Sequence, residues 1–111
     1  MGDRDGRRRN DQRALLALSI ASIALGSVGC GNAIYAIEIN SASRRMEEAR
    51  ELGAEELAPY DFYYAEEHLK KARQEAAEAD WGDAISLASD AEDHAAKAIK
   101  LAREAKRGEA R

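Results

Sequence analysis

The apolar positions of this 111-residue chain fall into one unbroken block followed by three periodic stripes. Ala14 to Val28 contains no charged residue, and Gly29 and Cys30 follow it directly. Beyond Cys30 the spacing becomes helical. Tyr35, Ile39, Ala42, Met46, Ala49 and Gly53 recur at steps of four and three, which predicts a helix near 33–53 with Asn32 as its N-cap and Gly53 at its end. A second stripe, Phe62, Ala65, Leu69, Ala72, Ala76 and Ala79, predicts a helix near 59–79, opened by Pro59, which lacks the N–H that a first turn cannot use. The third stripe is alanine alone: Ala84, Ala88, Ala91, Ala95, Ala98, Ala102 and Ala105, on a helix near 83–106 with Asp80 or Asp83 as its cap.

A seam of methyl groups lets two backbones approach at the short end of the usual interaxial range. The second and third helices are therefore expected to form a tight antiparallel hairpin, because the turn of about four residues between them forces that orientation. Ile85, Leu87, Ile99 and Leu101 lie beside the seam and offer an edge for the first helix. The expected fold is all-α, a three-helix arrangement behind an N-terminal segment. Composition narrows this further: 24 of the apolar residues are alanine, so the core is thin, and either the first helix or a second molecule must cover the hairpin.

Charge divides the chain in two. Residues 1–29 carry five arginines against three aspartates, whereas residues 30–111 carry 12 Lys and Arg against 18 Asp and Glu. A basic start, an uncharged run and small residues before a single cysteine form the pattern of a secretory signal. Ser27-Val28-Gly29-Cys30 resembles the lipobox of bacterial lipoproteins, although Ser27 stands where that family usually has leucine. The resemblance implies a signal peptide over 1–29, lipidation of Cys30 and a mature helical domain over 30–111. Because Gly31 is not the aspartate of inner-membrane retention, it also implies the outer membrane, facing the periplasm. The rival reading keeps residues 14–37 as an uncleaved inner-membrane span: 24 residues at about 1.5 Å each reach about 36 Å, enough for a bilayer core of about 30 Å.

A second resemblance covers residues 53–105. The run GAEELAPYDFYYAEEHLKKARQEAAEADWGDAISLASDAEDHAAKAIKLA is similar to the DUF4398 family, a small bacterial envelope domain, and its hairpin resembles a tetratricopeptide unit through Trp81-x-x-Ala84-x-x-x-Ala88. The family implies a location and a fold but no reaction.

Candidate chemistry is sparse. Asp90 and His94 would share a helix face, yet no third ligand follows at a supporting spacing, so they read as solvated surface; His68 beside Glu66 and Glu67 reads the same way. A lone cysteine excludes an internal disulfide and a Cys-rich metal site. No metal or cofactor is expected, and the acidic mature part argues against nucleic acid. The exception is Tyr60, Phe62, Tyr63 and Tyr64, four aromatic residues in five positions. Successive helical residues point about 100° apart, so these rings cannot all enter one seam and are expected either to plug the end of the hairpin or to bind a partner. The expectation from sequence is a non-enzymatic envelope lipoprotein. It would act as a structural or adaptor module, anchored to the membrane through lipid, contacting another envelope protein and open to homo-oligomerisation.

Overall fold

The computed structural model describes the backbone of residues 3–111 and the side chains of residues 11–13, 15 and 30–111. Four helices follow one another: α1 (Asp3–Glu51), α2 (Ala54–Leu57), α3 (Pro59–Ala77) and α4 (Trp81–Glu109). The fold is all-α, with no strand among the described residues. The chain divides into two compact units, Met1–Cys30 and Gly31–Arg111. Ser27, Val28 and Gly29 of the lipobox-like stretch lie outside the described side chains, as does most of the uncharged run.

Within the second unit, α1, α3 and α4 build one core. Ala42, Met46 and Ala49 of α1, Phe62, Ala65 and Leu69 of α3, and Ala91, Ala95, Ala98, Ile99 and Ala102 of α4 are buried in one cluster, closed at one end by Ala54 and Ala58. Among the described residues, Phe62 and Met46 are the largest side chains fully enclosed, and none of the buried ones is polar or charged. Polar pairs along the rims give the directions. Ser41 donates to Glu92 at 2.7 Å and Arg103 to Glu48 at 2.6 Å, so α1 and α4 run parallel. Arg73 donates to Ser43 at 3.1 Å and Arg50 to Glu66 at 3.0 Å, so α3 runs antiparallel to α1. The α3–α4 hairpin is thus covered by α1, the cover that a thin alanine core requires.

The turns obey local chemistry. Gly53 adopts φ 72°, ending α1, and Pro59 opens α3 at its first turn. After α3, the Ala79 N–H bonds the Ala76 carbonyl and the Asp80 N–H bonds the Glu75 carbonyl. This is the paired closure of a helix whose next residue is left-handed, and Ala79 has φ 61°. Asp80 then caps α4, accepting from the Asp83 N–H at 3.3 Å.

Four sequence expectations change. Asn32 is no cap, because α1 has no break there. Ala79 is not helical but forms the turn, and the stripe of α3 fades before it: Ala76 is half-buried and Ala79 exposed. The short α2, between Gly53 and Pro59, was not expected. Of the four residues beside the seam only Ile99 enters the core; Ile85 and Leu87 are half-buried and Leu101 is exposed.

Candidate functional site

Pro59 starts α3, and its first turn, Tyr60 to Tyr64, sends consecutive side chains around the helix. Phe62, 1 % exposed, fills the core, with the Arg50 guanidinium 5.8 Å from its ring centre. Phe62 therefore leaves the surface set. Tyr60 and Tyr63 remain 73 % and 48 % exposed, and Tyr64 is half-buried. Pro59, Tyr60, Tyr63, Tyr64, Glu67 and His68 line a shallow, largely apolar depression of about 530 Å³.

Tyr60, Tyr64 and His68 of this lining also belong, with His94 of α4, to a ring cluster that periodicity alone did not reveal. Tyr64 lies 4.0 Å from the His68 ring and 3.8 Å from the His94 ring, centre to centre, and Tyr60 meets the edge of His94 at 6.4 Å. His94 is not paired with Asp90 across a turn of α4. Its Nδ1 donates to Asp61 Oδ1 at 2.7 Å, joining α4 to α3. The His68 Nδ1 lies 3.0 Å from the Tyr64 carbonyl oxygen, and since a carbonyl only accepts, this nitrogen carries the proton. Both histidines are half-buried parts of the hairpin rather than solvated surface. The sequence signal that pointed here was the aromatic density; the 33-residue separation of Asp61 from His94 hid the rest.

Tyr63 donates to the Glu55 carboxylate at 2.7 Å, and this bond to an anion holds the phenol above the ordinary tyrosine value of 10.0. Glu55 belongs to α2, so the short helix fixes one of the exposed rings.

Six residues of the alanine seam, Ala84, Ala88, Ala91, Ala95, Ala98 and Ala102, are fully buried, and Ala105 is half-buried toward the end of α4. Cys30 is an exposed free thiol at the boundary of the two units. Just beyond it, the Gly31 backbone lies so close to Trp81 that a Cβ there would fall 2.8 Å from the Trp81 Cβ. Trp81 also meets the Tyr35 ring at 5.8 Å. In the α3–α4 turn, carboxylates of Glu75, Asp80 and Asp83 lie within 4.8 Å of one another, with Asp80 engaged as the cap.

Among the described residues no helix is long and apolar enough to cross a membrane. The side chains of most of the 14–37 window lie outside that description. Neither the curated proteins nor the solved structures contain a match to this chain. Residues 38–111, the greater part of the sequence and the whole of the hairpin just described, match the domain of unknown function DUF4398, and the chain belongs to that family.

Proposed function

We propose that this protein is a non-enzymatic envelope lipoprotein, tethered through Cys30, whose helical bundle acts as a structural or adaptor module. The observation that carries the reading is positional. The compact unit begins at Gly31, and the residue before it is the sole cysteine, exposed, directly following the uncharged stretch 14–29. A lipid placed on Cys30 would need no linker to hold the bundle at the membrane, and the periplasmic face of the outer membrane is the site the lipobox resemblance favours. Two or more acyl chains anchor stably, at about 0.8 kcal/mol for each buried methylene. The partner surface is the Tyr60, Tyr63 and Tyr64 depression, at the end of the unit remote from Gly31, where a tetratricopeptide-like hairpin would present it to another envelope protein.

Intact mass of protein extracted from envelopes tests the anchor. The expected species starts at Cys30 and carries acyl chains, and Cys30→Ala abolishes them. A full-length, unacylated species refutes lipidation. The second reading, a single-pass inner-membrane protein, would then stand; the helical backbone through residues 14–51 favours it. Truncation of Tyr60, Tyr63 or Tyr64 to Ala tests the surface. A partner anchor shows about 2 kcal/mol or more of lost binding at unchanged helicity, whereas lowered melting in all three variants with no selective loss of a partner makes the cluster a plug.

A further inference from the structure

The charges of α4 are sorted along its length. From Trp81 to Ala96 it carries Asp83, Asp90, Glu92 and Asp93 and no Lys or Arg; from Lys97 to Glu109 it carries Lys97, Lys100, Arg103, Lys106 and Arg107 against Glu104 and Glu109. A helix macrodipole explains such sorting only in the first and last turns. Asp90, Asp93, Lys97 and Lys100 lie well inside α4, so the dipole does not account for them. Nor do intramolecular pairs: Glu92 is held by Ser41 and Arg45 and Arg103 by Glu48, while Asp90, Asp93, Lys97, Lys100, Lys106 and Arg107 form no ion pair among the described residues.

These charges border an open face. Gly82, Ser86, Ser89, Asp93, Ala96, Lys100, Arg103 and Arg107 recur at steps of four and three, all exposed except the half-buried Ala96. The stripe has small side chains in its acidic half and long cationic ones in its basic half. Beside the basic half, Arg45 of α1 and Ala96, Ile99, Lys100, Arg103 and Arg107 of α4 line a groove of about 530 Å³.

We propose that this face binds a second copy of the chain, α4 against α4, antiparallel about a two-fold axis near Ala96 and Lys97. That arrangement is self-complementary. A single register sets Asp93 opposite Lys100 and Ser86 opposite Arg107, each contact made twice by symmetry. The basic groove of each copy receives the acidic half of the other, and the glycine and serines leave room for the partner's long cationic side chains. A face of these eight residues on one helix is smaller than a standard specific interface, so the dimer is weak and salt-sensitive, and confinement on a membrane raises its population. The residue-31 ends of the two bundles point in opposite directions. Tethers placed there reach one bilayer when the bundles lie along its surface. The inference does not depend on how the chain is anchored.

Disulfide trapping of the full chain in detergent tests it, with the parent reporting any bridge through Cys30. Ala96→Cys bridges two copies. Ser86→Cys and Arg107→Cys bridge when mixed, but neither bridges alone, since their like positions lie about 31 Å apart in the antiparallel pair. Bridging by each single variant at 86 and 107 means parallel pairing and overturns the proposal, as does absence of any bridge at low salt while circular dichroism shows the fold intact. Asp93→Lys turns two symmetric attractions into repulsions and weakens the dimer by about tenfold. Adding Lys100→Asp restores it, and failure of the swap to rescue removes the assigned register.

Discussion

Ala79 occupies the one described non-glycine position with a left-handed backbone, and its replacement by glycine is expected to stabilise the bundle. An L-residue with a Cβ in that conformation is disfavoured by about 1 to 2 kcal/mol, while glycine costs about 0.5 to 1 kcal/mol through the greater freedom of the unfolded chain. The net gain for Ala79→Gly is about 0.5 to 1 kcal/mol. Ala79 is exposed, so the lost methyl removes no core contact, and the two closing bonds from Ala79 and Asp80 to Ala76 and Glu75 involve backbone alone. In a domain of this size the melting temperature should rise by roughly 3 to 6 °C. Gly53→Ala supplies the mirror experiment: φ is 72°, a Cβ would meet nothing within 4 Å, and the strain is therefore all backbone. That variant should melt lower by a similar amount. Helical circular dichroism of parent and both variants in the same detergent reads the two shifts. An Ala79→Gly protein that melts at or below the parent would refute the assignment of strain to this turn.

The seam gives a second test. Ala95→Leu, at a fully buried position, should cost about 1 to 3 kcal/mol by overpacking, while Ala96→Leu, one residue around the helix, should cost much less; equal losses in thermal melts would mean the buried face is misplaced. Gly31→Ala drives a methyl into Trp81 and should shift the fluorescence of the only tryptophan, whereas an unchanged spectrum and melt would remove that contact. The Tyr63 phenol titrates above 10.0 because it donates to Glu55. Its contribution to stability is complete below the unfolded tyrosine value and is lost as pH rises through the higher folded one. Absorbance titration of the parent against Tyr63→Phe should show the raised midpoint, and Glu55→Gln should bring it down; a midpoint that ignores Glu55 contradicts the bond.

Much of the bundle was legible because alanine at strict helical spacing has few other uses. Ala84 to Ala102 are buried as their period required, and Gly53, Pro59 and Asp80 each act through a backbone property that a single residue announces. Legibility failed where the deciding partner was distant or the residue atypical. A period names a helix face but not what crosses from the neighbouring helix, so Asp61 and His94 could not be joined in advance. Ala79 broke its stripe by taking a conformation that glycine normally fills. The start of α1 was misjudged because Asn32 satisfies a cap rule that the surrounding apolar helix formers override. At the aromatic segment, the geometric rule that four rings cannot share one seam held, and Phe62 was the ring that entered the core.

The alanine core also determines how the bundle responds to temperature. Heat capacity rises on unfolding with exposed apolar area and falls with exposed polar area. A seam of methyl groups releases little of the first, and a helical backbone releases much of the second. The heat-capacity increment per residue should therefore lie below the usual 12 to about 15 cal/mol/K, and the curve of stability against temperature should be broad and shallow. Such a protein gains little from cooling and loses little on warming until it melts, a thermal evenness that follows from choosing the smallest side chain for the centre of the fold.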